Sequence, residues 1–393
     1  MKELALVFLR LGTTAFGGPA AHIAMMEDEF VRRRGWLTRE QFLDLVGAAN
    51  LIPGPSSTEV AIYVGYRRAG WRGLLVAGTC FVLPAALLVT LIAWAYVRFG
   101  WLPSANGVLH GIKAVIIAVI VQALVAFART AIKSKWLAAL AALAAIAHAL
   151  GAAPVAILAG AGVLHALARA ASRRHGNDGN NTAAKTIAWG PIATPTIAPA
   201  LTASTLAAPA IAHAAPSLVK LFLIFAKIGA VVFGSGYVLL AFLRTDLVEQ
   251  THWLTESQLI DAVAIGQFTP GPVFTTATFI GYVLAGMPGA IAATVGIFLP
   301  SFALVAVSGP ILPKLRQSPT FSAFLDGVNA ASLALMAVVG FVLARTALVD
   351  VPTVLLALAS AAVLLRWRIN SAWLVLGGGL AGLALEWYSA WAM

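Results

Sequence analysis

Apolar stretches long enough to span a membrane alternate along the chain with short polar turns, and the same order of stretches occurs twice. Six apolar segments lie at about 4–23, 41–65, 73–97, 107–128, 136–150 and 153–170. Six more lie at about 218–241, 258–282, 288–308, 324–344, 351–365 and 372–391. Because about 20 apolar residues suffice for a helix to cross a bilayer core, the pattern predicts an all-α polytopic membrane protein.

The two sets of segments are copies of one another, with matching residues 217 positions apart. Pro-Gly-Pro occurs at 53–55 and 270–272, and Trp-Leu-Thr at 36–38 and 253–255. After a one-residue deletion the spacing becomes 216, and the register holds for more than 120 residues, which indicates duplication of a structural half. We therefore assign residues 1–171 and 217–393 to two repeats, joined by a polar and Pro-rich linker at 172–216.

Composition supports the membrane assignment: 60% of the residues are hydrophobic and 10% are charged, against about 25% charged in soluble domains. The formal charge of +11 is better explained by Lys and Arg in cytoplasmic loops than by nucleic-acid binding. The single cysteine, Cys80, excludes an internal disulfide and a thiolate metal cluster. No Walker-type loop or His-Glu-x-x-His motif occurs, so we expect no cofactor and an ion gradient as the energy source.

The second segment of each half cannot be one continuous helix, because Pro-Gly-Pro interrupts it at the centre. It could cross as a broken helix or turn back as a re-entrant hairpin. If it turns back in both halves, 18 of the 26 basic residues fall on one side, as the positive-inside tendency favours. The sequence therefore predicts about ten transmembrane helices plus two re-entrant Pro-Gly-Pro hairpins. The two repeats would have inverted topology, with both termini outside the cytoplasm.

The candidate anion site lies where these hairpins turn and where Gly-rich breaks interrupt the first segment of each half. A half-helix is expected to begin after each Pro-Gly-Pro, and its unpaired N–H groups attract anions. The alternative is a structural kink packed by small residues, which the doubled motif with its hydroxyls disfavours. We expect these residues to bind the substrate: Gly17, Gly18, His22, Gly54, Ser56, Ser57, Thr58, Gly234, Ser235, Gly271, Thr275 and Thr276.

Three ionisable residues add charge to this site. Arg10 and Lys227 occupy matching positions inside the first segments, where a basic residue usually has a partner or a substrate, although it could also snorkel to the interface. Two cations and two helix N-termini would suit a dianion. Glu59 follows the first Pro-Gly-Pro, and its counterpart Thr276 is not ionisable. A carboxylate there repels an anion unless it is protonated. Glu59 is therefore the candidate coupling residue, the alternative being a first-turn acid that stabilises its helix.

Several motifs together resemble the chromate ion transporter family. They are Phe16-Gly-Gly-Pro-Ala-Ala-His-Ile, the Trp-Leu-Thr turn, Leu51-Ile-Pro-Gly-Pro-Ser-Ser-Thr-Glu, Phe233-Gly-Ser-Gly-Tyr and Gln267-Phe-Thr-Pro-Gly-Pro-Val-Phe-Thr-Thr. The resemblance covers both halves outside the linker and is typical of the long, two-domain members of the family.

The resemblance implies a secondary transporter that exports chromate across the bacterial inner membrane and so confers chromate resistance. The membrane potential, proton exchange or both would drive it. Its partners would be chromate, sulfate as a competitor and membrane lipid, while a homodimer stays open. The alternatives are a transporter of another tetrahedral oxyanion such as sulfate or molybdate, a chromate-reducing membrane enzyme, and a channel.

Overall fold

The computed structural model describes residues 1–16, 18–99, 103–177, 216–233, 238–308, 318–367 and 371–391. These residues form fourteen α-helices, and this part of the chain contains no strand. The first half has α1 Lys2–Thr14, α2 Gly18–Glu27, α3 Arg39–Ala49, α4 Ser56–Phe99, α5 Pro103–Ala131, α6 Lys135–Ala149 and α7 Pro154–Asn177. The second half has α8 Leu218–Val231, α9 Leu239–Leu243, α10 Glu256–Phe268, α11 Thr276–Ser308, α12 Pro319–Ala347, α13 Val351–Arg366 and α14 Ser371–Trp391.

Five of the described helical segments are long and apolar enough to cross a bilayer. They are Ser56–Phe99, Gly107–Ala131, Pro154–Ser172, Val273–Ser308 and Pro319–Ala347. Three shorter apolar helices, within α6, α13 and α14, accompany them. Large apolar side chains such as Leu87 and Leu380 are exposed on the outer faces, as expected for helices that contact lipid. The predicted all-α integral membrane protein is therefore confirmed at this level.

The first apolar segment does not continue as one helix but folds back on itself. A π-helical turn, Asp28–Arg33, extends α2 and runs antiparallel to α1. The rings of Phe8 and Phe30 lie 5.3 Å apart, and Arg34 pairs with Glu3 near the start of α1. We call residues 2–33 hairpin A. The sequence predicted a single crossing at 4–23, whereas both ends of this hairpin lie on the same side.

Backbone conformation explains why α1 ends early. Ala15 is extended at φ −80° and ψ 93°, and Gly18 has φ +78°, a left-handed conformation that glycine adopts without strain. The described residues of the second half also fold back. The Lys220 ammonium, near the start of α8, lies 5.1 Å from the ring centre of Trp253, beyond the matching π-helical turn Arg244–Gln250. We call residues 218–250 hairpin A′.

The Pro-Gly-Pro segment forms a second helical hairpin beside the first. A capping box of Thr38 and Gln41 begins α3, and the chain returns after the turn as the first arm of α4, residues 56–68. The Arg68 guanidinium then lies 5.2 Å from the ring centre of Trp36, at the entrance to α3. We call residues 39–68 hairpin B, and the matching residues 256–284 hairpin B′. Hairpins A and B therefore open on the same side.

A sharp break separates hairpin B from the long arm of α4, residues 71–99. Gly70 has φ +59° at this break, and Gly286 has φ +61° at the matching break in α11. The two arms approach closely, since a Cβ on Gly65 would lie 2.3 Å from the Gly73 carbonyl oxygen. Glycine is required on both sides of this contact because any side chain would separate the arms.

The long arms of α4 and α11 pack against each other in the antiparallel sense. The Tyr63 hydroxyl, from hairpin B, hydrogen-bonds to Ser308 Oγ at the end of α11, with an O–O distance of 2.6 Å. At the opposite end, the Tyr96 ring near the end of α4 lies 5.1 Å from the ring of Phe279 in hairpin B′. Phe279 is the counterpart of Tyr63. Hairpin B thus packs against the last residues of α11, and hairpin B′ packs against the last residues of α4.

The remaining helices are exchanged between the halves. α5 packs against α13 and α14, and α12 packs against α6 and α7. A Cβ on Gly111 of α5 would lie 1.9 Å from the Gly378 carbonyl oxygen of α14, so these two helices touch backbone to backbone. The halves therefore form one intertwined body.

An ion pair links the start of each π-helical turn to the following helix, with the charges exchanged between the halves; Glu27 directly precedes the first turn, and Arg244 is the first residue of the second. In the first half Glu27 Oε1 lies 3.4 Å from Arg39 Nε. At the matching positions of the second half, Arg244 Nε lies 2.8 Å from Glu256 Oε1. The acid therefore comes first along the chain in the first half, and the base comes first in the second half.

Candidate functional site

The tips of the hairpins meet through two crosswise hydrogen bonds. The Gly54 N–H donates to the Val232 carbonyl oxygen at an N–O distance of 2.7 Å. The Gly271 N–H donates to the Ala15 carbonyl oxygen at 2.8 Å. Each Pro-Gly-Pro therefore contacts the residue at which the other half's first helix ends. Since Ala15 and Val232 are counterparts, the arrangement follows the internal repeat.

The two Pro-Gly-Pro tips differ in polarity. Gly54 has φ +136°, and a Cβ there would lie 2.3 Å from Glu59 Oε1 and 2.5 Å from Ser301 Oγ. Glu59 and Ser301 are fully buried, and the carboxylate and the hydroxyl both lie against Gly54. At the second tip, a Cβ on Gly271 would instead lie 2.7 Å from the Ala85 methyl group. Ala85 is the counterpart of Ser301, so only the first tip has polar groups on both sides.

His22 joins the end of α1 to the start of α4. Its Nε2 lies 3.0 Å from the Ala15 carbonyl oxygen and its Nδ1 lies 3.2 Å from Ser57 Oγ. A carbonyl only accepts, so Nε2 carries a proton; in the neutral imidazole Nδ1 then accepts from the Ser57 hydroxyl. Both predicted site residues are buried and lie at the crosswise contact. In this conformation the proton of each group is bound within the protein.

The other predicted hydroxyls differ in their availability. The Thr275 and Thr276 hydroxyls each donate at 2.8 Å to a backbone carbonyl oxygen of their own turn, on Pro272 and Val273 respectively. A hydroxyl has one proton, so these two do not donate elsewhere in this conformation. Thr58 Oγ1 is buried without a hydrogen bond to the described residues.

The glycines and the first serine complete the predicted set. Ser56 is the half-buried first residue of α4. Gly18 adjoins open space, since no atom lies within 4 Å of a Cβ built there. Gly17, Gly234 and Ser235 lie outside the described residues.

Arg10 and Lys227 each pair with an acid of the same hairpin. Arg10 binds Glu29, and Lys227 Nζ lies 2.6 Å from Asp246 Oδ1. Beside the first pair is a cavity of about 490 Å³ lined by Arg10, Leu11, Thr14, Ala24, Met25, Asp28, Glu29 and Arg33. The structure thus places both predicted cations on hairpins A and A′, each with a partner already bound.

Sequence reasoning missed three kinds of groups at this site. The acids Glu29 and Asp246 are 217 positions apart, like the cations they bind, so the repeat itself carried that signal. Ser301 lies 242 residues from Glu59, and nothing local indicated their contact. The carbonyls of Ala15 and Val232 are backbone groups, whose position follows from the fold alone.

A family model described as Chromate transporter matches residues 2–166 and again residues 219–383. The "Chromate transport protein" of Cupriavidus metallidurans is 36% identical over 98% of this chain and 92% of its own length. A "Probable chromate transport protein" of Synechococcus elongatus is 32% identical, over 94% and 91%. The "Chromate transport protein" of Pseudomonas aeruginosa is 31% identical, over 95% and 90%. No solved structure matches the chain.

Proposed function

Because the chain belongs to the chromate transporter family, we propose that it is a secondary transporter that exports chromate across the bacterial plasma membrane and so confers chromate resistance. The family is one of transport proteins, so the chain is a transporter and not an enzyme. Three relatives matched over nearly their whole length are named for chromate transport or probable chromate transport. The observation that carries the proposal is the crosswise contact of each Pro-Gly-Pro tip, through the Gly54 and Gly271 amides, with the end of the other half's first helix.

The substrate site is proposed between these tips. α4 begins just after the first tip, and helix starts supply unpaired N–H groups and a positive dipole end. Arg10 and Lys227, one in each of the oppositely opening hairpins, would each add a positive charge along the path of the anion. Arg10 can also hold two oxygens of an oxyanion in bidentate fashion.

Glu59 is proposed as the proton switch. An ionised carboxylate without a partner is costly to bury, and this one stands beside Ser301 at the polar tip. Bound chromate would favour the protonated acid, so movement of the anion and of a proton would be linked. The membrane potential contributes as well, since expelling negative charge from a negative interior yields about 2.3 kcal/mol per charge per 100 mV.

We propose inverted membrane topology for the two halves. The antiparallel arms of α4 and α11 support it, because their hairpins then open on opposite sides. The basic loops at 32–39 and 67–72 assign the side of hairpins A and B to the cytoplasm.

The count of crossings changes from the sequence-based expectation. Hairpins A and A′ turn back, so eight described helical arms cross instead of ten helices. The start of α1 comes to lie on the cytoplasmic side, whereas the end of α14 stays outside. The end of α7 and the start of α8 fall on opposite sides.

Uptake by everted membrane vesicles tests the proposal. Vesicles with the protein should accumulate chromate when the potential is positive inside, and empty-vector vesicles should not. Sulfate and molybdate, supplied in place of chromate, test the alternative substrates. Strong uptake of either anion, with no uptake of chromate, would show that chromate is not the substrate. Saturation with chromate concentration distinguishes a carrier from a channel.

A further inference from the structure

Each cation proposed for substrate binding separates a buried carboxylate from open space. The acids Glu29 and Asp246 both have side chains that are 5% exposed. Their partners Arg10 and Lys227 are 51% and 46% exposed. The same burial pattern occurs at matching positions of both halves. An incoming anion can therefore reach each cation on the face opposite its carboxylate.

From this matched geometry we infer that Glu29 and Asp246 are internal competitors of the oxyanion, each occupying its cation until substrate displaces it. The inference rests on the proposed function and adds two residues to it. Carboxylates and tetrahedral oxyanions both offer oxygen acceptors to the same N–H donors, so they compete directly. The cavity of about 490 Å³ beside Arg10 leaves room for an oxyanion with several waters, each of which occupies about 30 Å³ in the liquid.

With inverted halves, one competitor faces each side of the membrane. The pair of Arg10 and Glu29 lies in hairpin A, which opens toward the basic, cytoplasmic loops. The pair of Lys227 and Asp246 lies in hairpin A′, which opens on the outer side. Chromate entering from the cytoplasm displaces Glu29 first. On the outer side, the return of Asp246 to Lys227 expels it.

The two acids differ in whether they keep a partner after the substrate displaces them from their cation. Glu29 also binds Arg34, whose Nε lies 2.6 Å from Glu29 Oε1. Asp246 Oδ1 pairs with Lys227, and Asp246 Oδ2 is buried without a hydrogen bond to the described residues.

The cation nearest to Asp246 along the chain does not replace Lys227. Arg244, on the same π-helical turn as Asp246, is held by Glu249 and Glu256. Since an unpaired charge is costly to bury, displacing Asp246 from Lys227 costs more than displacing Glu29, which keeps Arg34. The oxyanion therefore binds more weakly at Lys227 than at Arg10, which favours its release on the outer side.

Equilibrium dialysis of chromate against the purified full-length protein tests the competition. Asp246→Asn and Glu29→Gln should each bind chromate at least threefold more tightly than wild type, because the competitor has lost its charge. The control is Asp326→Asn, which breaks a 2.7 Å ion pair with Lys133 that belongs to neither hairpin, and which should leave affinity unchanged. Unchanged or weaker binding by both variants, with wild-type gel-filtration behaviour, overturns the inference.

A second measurement excludes a purely structural pair. Asp246→Asn should gain more chromate affinity than Glu29→Gln, because only Asp246 is left without a partner when the oxyanion displaces it. In the double variant Lys227→Asp with Asp246→Lys, the two charges change places. It should bind chromate more weakly than the wild type. Wild-type affinity in this variant would show that the pair only holds the hairpin together.

Chromate binding by the wild-type protein distinguishes failure of the proposed function from failure of the competition. If it binds no chromate, the proposed function fails together with the inference. If it binds chromate but the variants behave as wild type, only the competition fails.

Discussion

The amide of Gly54 donates a 2.7 Å hydrogen bond to the carbonyl of Val232, the residue at which the first helix of the other half ends. The matching amide of Gly271 does the same with Ala15. Helix ends inside a membrane need such partners, because lipid offers none. Each half thus completes the broken helix of the other, and the point where they do so adjoins the buried acid Glu59.

Adding one methyl group at Gly54 should disrupt this contact. The position has φ +136°, and a Cβ there would lie 2.3 Å from Glu59 Oε1. We expect Gly54→Ala to lose chromate resistance and about 1–3 kcal/mol of stability through backbone strain alone, measured as a lower Tm in detergent. Gly160→Ala is the control, since no atom lies within 4 Å of a Cβ on Gly160. A wild-type Tm and full resistance for Gly54→Ala would contradict the geometry.

Removing either predicted substrate cation should abolish chromate resistance. Arg10→Met leaves Glu29 paired with Arg34, and Lys227→Met is combined with Asp246→Asn so that no buried charge loses its partner. The protein should therefore still reach the membrane in normal amounts. Resistance is scored by growth on chromate, with membrane content checked by immunoblot. Lys135→Gln, on the exposed start of α6, is the control. If both variants remain resistant, Arg10 and Lys227 are interface anchors.

Neutralising Glu59 should separate anion binding from proton coupling. Glu59→Gln keeps the shape of the side chain but cannot exchange a proton. We expect it to bind chromate and to transport it with a flat pH profile in vesicles, whereas Glu40→Gln, exposed on α3, should keep the wild-type profile. An unaltered pH dependence in Glu59→Gln would eliminate this residue as the switch.

The exchanged ion pairs predict a rescue. Arg244→Glu alone should lower the Tm, because Arg244 is 17% exposed and binds both Glu249 and Glu256. Arg244→Glu combined with Glu256→Arg restores one of these pairs in the polarity that Glu27 and Arg39 show in the first half. The double variant should therefore recover part of the lost Tm. A further decrease would mean that the two halves are not equivalent here.

The sequence was sufficient to predict the features that follow from its internal repeat and from its helix-breaking residues. The doubled Pro-Gly-Pro indicated two turning segments, and contacts such as that between Trp36 and Arg68 agree with a hairpin. The first segment was predicted as a crossing because its apolar length allowed one; the chain turns at Gly18 instead.

Contacts between residues that are far apart in the sequence could not be predicted. The contact of Ser301 with the Glu59 region and the bond from Gly54 to Val232 depend on how the halves interlock. The pairing of Arg10 with Glu29 could have been found, because the acids repeat with the cations.

The proposed transport route requires hairpins that open on opposite sides of the membrane. Arg33 and Gln250 are exposed counterparts, and Cys80 is the single native cysteine. In a Cys80→Ser background, Arg33→Cys and Gln250→Cys can be labelled in intact cells with a membrane-impermeant thiol reagent. We predict labelling of the Gln250→Cys variant from outside, and of the Arg33→Cys variant only after the cells are made permeable. Labelling of both from the same side would contradict the inverted arrangement.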